Sequence, residues 1–331
     1  MRKILLSLII LIFFSLITLT LIISTIGLET KRFNNVISQK INAGNRNLNI
    51  KLKSVKFKFD IKEISLFLNT DNPIIKYKNI SLPAKNIKVY ISFSSLIKSE
   101  TKIEKINLTF NQLQLSQIKK FSAIFKPSNL TNFLNNNLKQ GIINSEIEIY
   151  LNNDNLLENF IARGTATNLS ATINDKTELK ESSFKFFSDK TDILIKNFTG
   201  QMDSFKITEG DLKLKLSPEI SLTTNLKSSI NYNYEDNKKN FLSNFEKTKN
   251  ILNLKADLNN FLSINFDKTY KVKNYEYKTN GKIYKANLNF ENSIKNNFLK
   301  ENITDIFLEN SEIKTTINSK KNITNISGKY S

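Results

Sequence analysis

The chain has 331 residues and a formal charge of +19, and it contains no Cys, no His and no Trp. Those absences exclude an imidazole base, a thiolate nucleophile, a disulfide and the usual zinc sites. Asp and Glu total 30, but they do not gather into an acid/base pair, and no GxGxxG, Walker, GxSxG or HExxH pattern is present. No enzyme, catalytic residue, cofactor or metal site is therefore expected.

From Ile4 to Leu28 no residue is charged, and Leu, Ile and Phe dominate the run. A bilayer core takes roughly 20 such residues as a helix, whereas the apolar part of a cleaved signal peptide spans about 7–15. No small-residue cleavage pattern stands near Ser24–Gly27. Residues 1–28 are thus expected to be an uncleaved transmembrane signal anchor. With a short cytoplasmic tail, residues 29–331 would lie outside the inner membrane, in a periplasm, as a single-pass protein.

Thr30 to Asn42 carries Phe33, Val36, Ile37 and Ile41 at helical spacing, which predicts a short amphipathic helix. Beyond Leu48 a two-residue period takes over. It is seen in Val55-Lys56-Phe57-Lys58-Phe59, Ile147-Glu148-Ile149-Tyr150-Leu151 and Leu212-Lys213-Leu214-Lys215-Leu216. Leu252 to Leu258 and Leu262-Ser263-Ile264-Asn265-Phe266 repeat it. Each reads as an antiparallel strand with one apolar and one wet face. Asp71-Asn72-Pro73, Glu209-Gly210-Asp211 and Thr279-Asn280-Gly281 read as turns between strands. A polar triplet before an alternating strand recurs at Asn144-Ser145-Glu146, at Glu209-Gly210-Asp211 and at Asn310-Ser311-Glu312. Its irregular spacing points to a reused hairpin rather than a solenoid.

Short helices are predicted over Leu115–Phe125 and Leu130–Leu138 and around Asn292–Leu299, and a loop over Tyr232–Asn240. The fold class is mostly β: a transmembrane helix, then a long curled antiparallel sheet with few helices. Some 15–20 strands exceed what a flat open sheet usually tolerates, so the apolar face must be hidden by curling, by a second sheet or by a ligand. At ~4.8 Å per strand the sheet would form a trough roughly 70–95 Å long. Val55, Phe57, Phe59, Ile147, Ile149, Leu151, Leu212, Leu214 and Leu216 are the candidate lining residues. Ordinary core packing is the alternative for each.

In the first 125 residues or so, the anchor and the amphipathic helix are followed by Asn49-Ile50-Lys51, the strand Val55–Ile61, Glu63-Ile64-Ser65-Leu66, the Asn72-Pro73 turn and Leu82-Pro83-Ala84-Lys85. Next come a strand, a small helical step at Ser95-Leu96-Ile97 and a return strand bearing Ile103, Ile106 and Leu108. This order of elements resembles the AsmA-like family of bacterial envelope proteins, with its larger relatives YhdP and TamB. The resemblance implies a long β-groove on a membrane anchor that binds or conducts phospholipid and supports outer-membrane lipid homeostasis or assembly. Bridge-forming members are far longer. This chain stops in a strand-like pattern at Asn325–Ser331, so it is either a short member or the N-terminal part of a longer protein, and the latter is the expectation.

The Lys, Asn and Ile usage reads as the product of an AT-rich genome; a basic surface against anionic lipid or nucleic acid is the other reading. Lys residues spread along strand faces, and the anchor argues against a nucleic-acid partner. The partners expected are phospholipid, the membrane and an envelope protein. The competing hypothesis is a tethered structural or assembly factor with a closed β core.

Overall fold

The computed structural model describes residues 2–29, 34, 48–77, 80–91, 102–122, 132, 135–152, 156–174, 177–234, 251–294 and 302–331. The chain is mostly β, with one long antiparallel sheet and an N-terminal apolar helix.

Helix α1 (Arg2–Thr25) is the apolar run of the sequence. Its segment Leu6–Thr25 is long and apolar enough to cross a membrane, and none of it is buried against the protein. Its threonine hydroxyls are already paired: Thr18, Thr20 and Thr25 each donate to the carbonyl four residues earlier at 2.7–2.8 Å. In an apolar medium an unpaired hydroxyl would cost several kcal/mol, so this back-bonding suits a span. Gly27, at φ 76°, closes the helix by donating to the Ile22 carbonyl.

The strands follow in chain order. The first seven are β1 (Leu28–Glu29), β2 (Leu48–Lys51), β3 (Lys56–Asp60), β4 (Ser65–Asp71), β5 (Ile74–Tyr77), β6 (Ile80–Leu82) and β7 (Ala84–Ile91). β8 (Ile103–Gln114) leads into helix α2 (Leu115–Ser122). Then come β9 (Leu138–Leu151), β10 (Leu157–Asn174), β11 (Thr177–Ser188), β12 (Asp192–Met202), β13 (Phe205–Lys215) and β14 (Ser221–Asn233). The last are β15 (Ile251–Phe266), β16 (Val272–Ile294), β17 (Ile303–Asn318) and β18 (Asn322–Tyr330). Fifteen of them hydrogen-bond in the order β1-β3-β4-β7-β8, then β9 to β18 in sequence; β2, β5 and β6 make a separate three-stranded sheet.

The chain divides into two compact units, Met1–Leu113 with Asn144–Ala162, and Gln114–Ile143 with Arg163–Ser331. In the first, the small sheet lies over one face of the main one. Ile75, Ala84, Ile87 and Phe110 form its buried core, with Leu52, Leu82, Leu108 and Ile147 packed around them. In the second, α2 covers one end of the face: Leu115 packs with Leu138, Ala166, Leu169 and Ala171. A third cluster joins Ala256, Ile283, Ala286 and Leu308 across β15, β16 and β17.

Several sequence expectations are corrected. No sheet is strongly curled; local covers hide parts of the apolar face, so the sheet need not roll into a groove to bury it. Thr279-Asn280-Gly281 is no turn but the middle of β16, paired to Asn260-Asn259-Leu258. Its glycine serves a close backbone approach, since a Cβ on Gly281 would run into the Asp257 carbonyl. Glu209-Gly210-Asp211 likewise lies inside β13, where the register shifts between Ile207 and Glu209. The recurring polar triplets thus mark irregularities within strands rather than hairpin turns. Asn310 in β17 takes φ 44°, and Asn144 in β9 accepts from the N–H of Gln112, itself at φ 51°, at 2.8 Å. A short polar side chain tolerates such backbone or caps the N–H that a bulge leaves unpaired. Asn292–Ile294 belong to β16 and Tyr232–Asn233 to β14, against the predicted helix and loop.

Helix α2 appears where Leu115–Phe125 was expected, and Leu138 starts β9 rather than ending a helix. The helical step at Ser95-Leu96-Ile97 lies outside the described residues, as does the stripe Phe33, Val36, Ile37 and Ile41.

Candidate functional site

The second unit carries one face on which apolar side chains align across neighbouring strands. Paired residues of antiparallel strands share a face, so the register traces it directly. Leu214 lies opposite Ile193 and Leu222, and Leu212 opposite Ile195 and Thr224. Leu222 pairs with Ile264, which pairs with Tyr275; Leu262 pairs with Tyr277, which pairs with Ile317. On the other side Ile195 faces Phe186. The row therefore crosses seven strands, β11 to β17. Its aliphatic members are half-buried rather than buried, and Tyr275 is 41% exposed. Among the described residues no helix or second sheet seals this end.

The opposite face is mostly polar and ion-paired, although Leu194, Phe187 and Phe261 share it. Lys213 meets Asp192 at 2.9 Å and Lys227 meets Glu209 at 2.6 Å. Asp211 accepts from Lys196 and from the Asn197 N–H, and the hydrogen bond from Lys196 holds its carboxyl below the usual aspartate range. Glu209 in turn raises Lys227 above its ordinary value. Two concavities of about 670 and 360 Å³ open on this polar side. Asp257, Lys282, Glu312 and Lys314 line the larger, which suits water and ions rather than hydrocarbon.

Midway along the strands a polar belt interrupts the apolar face. Asn260 donates to Ser228 Oγ at 2.9 Å and accepts from the Tyr277 hydroxyl at 2.8 Å. Thr315 and Thr324 hydroxyls lie 3.1 Å apart. Burial raises the Tyr277 phenol above its ordinary value, so it stays a neutral donor. The closed cluster of Ala256, Ile283, Ala286 and Leu308 lies beyond the belt. The face thus has a half-open apolar end, a belt of hydroxyls and one amide, and a dry end.

The nine expected lining residues divide between the units. Leu212, Leu214 and Leu216 belong to the second; the first two are on the half-open face, and half-buried Leu216 follows β13 and donates its N–H to the Thr191 carbonyl. Six belong to the first unit. Val55 is 2% exposed. Phe57 and Phe59, half-buried, pair with Leu68 and Leu66. Ile147 packs on the core beneath the small sheet, and Ile149 and Leu151 are half-buried farther along β9. Ile193, Ile195, Leu222, Leu262 and Ile264 were not singled out as lining; Leu262 and Ile264 carry the alternation that marks Leu212 and Leu214, whereas Ile193-Leu194-Ile195 and Leu222-Thr223-Thr224 do not show it. The belt was missed because Ser228, Asn260 and Thr315 read as ordinary strand polars until the register aligns them.

No group of three Asp or Glu converges as a metal site among the described residues. Compared with known proteins, the chain matches no family model, no curated protein and no solved structure.

Proposed function

We propose that this chain is an inner-membrane-anchored periplasmic protein that binds or conducts phospholipid along the apolar face of its sheet, in support of outer-membrane lipid homeostasis or assembly. The observation that carries the reading is the half-buried apolar row across β11 to β17, backed by a mostly polar, ion-paired outer face. The resemblance of the first 125 residues or so to AsmA-like proteins points the same way, as does an N-terminal helix able to span a membrane. A diacyl lipid hides ~30 methylenes at ~0.8 kcal/mol each, so crossing water bare costs roughly 25 kcal/mol. An apolar strand face removes much of that cost without a catalytic residue. In this reading the acyl chains lie on the sheet rather than inside a closed trough. The hydroxyl belt at Ser228, Asn260 and Tyr277 sets a polar limit to the apolar end.

Purifying residues 29–331 without detergent and extracting lipid tests this. Near-stoichiometric phospholipid is expected. A folded, lipid-free protein contradicts it and favours a second reading, a tethered assembly factor. In that reading a protein partner, rather than lipid, covers the half-open apolar face of β11 to β17.

A further inference from the structure

The hairpin between β3 and β4 has an unusual tip for a soluble surface. Asp60 Oδ1 accepts the N–H groups of Lys62 and Glu63 at 3.0 and 3.3 Å, which fixes the turn Ile61-Lys62-Glu63-Ile64. Lys105, buried in β8, draws Glu63 inward as an ion pair and rests 4.2 Å from the centre of the Tyr90 ring. Tyr90 donates in turn to Asp60. Glu63 is thus held from behind, and the isoleucines are left outward, Ile61 53% and Ile64 77% exposed. Ile64 also takes φ 49°. A β-branched residue is disfavoured there, and Gly or Asn is the usual occupant. Both exposure and backbone therefore argue against Ile64 on a surface that faces only water.

The register shows where this tip lies. Leu28 and Glu29 of β1 pair antiparallel with Phe57 and Lys56 of β3. Lys58 Nζ caps the end of α1 through the Thr25 carbonyl at 2.8 Å. Going from Phe57 toward Asp60, β3 leaves this pairing in the sense in which β1 runs back into the helix. The tip then reaches about 10 Å beyond Lys58, three residues at ~3.3 Å each. That is on the scale of the headgroup layer in which the end of a spanning helix sits. Lys56, Lys58 and exposed Lys62 add positive charge suited to anionic headgroups.

We propose that the Ile61–Ile64 turn inserts into the headgroup and upper acyl layer of the bilayer spanned by α1. It acts as a second, interfacial attachment that fixes the first unit against the membrane. The inference rests on α1 as a membrane span, not on lipid binding by the second unit. The chain has no Trp, so a single introduced indole reports its own depth. Full-length chain carrying Ile64→Trp or Ile61→Trp is reconstituted into vesicles of phosphatidylcholine and phosphatidylglycerol with acyl-brominated lipid; Leu11→Trp marks the span. Both turn variants are expected to lose about half their emission, most strongly with bromine near the headgroup, as for side chains seated ~5–10 Å deep. Quenching of Leu11→Trp alone overturns the turn's insertion and leaves the anchor standing. Absence of quenching at Leu11→Trp removes the span and overturns both.

Discussion

At the residue scale, two kinds of position control the sheet. Gly281 is needed because β16 passes so close to Asp257 that any side chain meets its carbonyl. Gly281→Ala is expected to cost roughly 1–3 kcal/mol, as overpacking does, measured as a lower urea midpoint at unchanged slope. The turns are the other kind. Asp189 accepts from the Thr191 and Asp192 N–H groups, and Asp267 from Thr269 and Lys271. Backbone N–H donation from Thr191 first, then Asp192, holds Asp189 below its ordinary value; the Thr269 hydroxyl, then the Lys271 N–H, does so for Asp267. A carboxylate depressed on folding contributes stability above its unfolded value, about 3.9, and loses it as pH falls toward the folded value. The melting temperature should therefore fall below about pH 4, and fall less steeply in Asp189→Ala/Asp267→Ala. Equal slopes would show that these turns do not couple to acid unfolding. The signal was present in the sequence, since Asp-Lys-Thr stands at 189–191 and 267–269, but a three-residue polar string announces a turn only once its flanking strands are placed.

At the element scale, the two-residue period made most strands legible, because alternation records which side of a strand meets water. It could not show partners, covers or bulges. Ile147 and Leu214 carry the same local pattern, yet one packs on a core under a second sheet and the other lies on a half-open face. The cover over Ile147 comes from β5 and β6, much earlier in the chain, which no local period encodes. The polar triplets misled for a related reason: Asn144, Asp211 and Asn310 are turn-formers by type, and here they serve bulges in continuous strands. The two environments predict different costs. Leu308→Ala, in the closed cluster, should lose about 2–4 kcal/mol in denaturant unfolding, and Leu214→Ser on the half-open face well under half of that. Equal losses would mean that the face around Leu214 is packed as tightly as a core.

At the scale of the whole molecule, the chain joins a helix able to span a membrane to an antiparallel sheet of fifteen strands. The joint is short: a glycine cap, two residues of β1 paired to β3, and a lysine on the helix end. The apolar helix was readable from its uninterrupted run, whereas the joint depends on the pairing of Glu29 with Lys56 and was not. The proposed function depends on one face of the second unit meeting lipid while the other meets water. The most direct measurement is photo-crosslinking in cells with a benzophenone amino acid in the full-length chain, placed at Leu214 or Ile264 and, on the polar face of the same strands, at Lys213 or Ser263. Phospholipid adducts at Leu214 and Ile264 with none at Lys213 and Ser263 are the predicted result. Equal capture on both faces, or capture only of protein at Leu214 and Ile264, would contradict it.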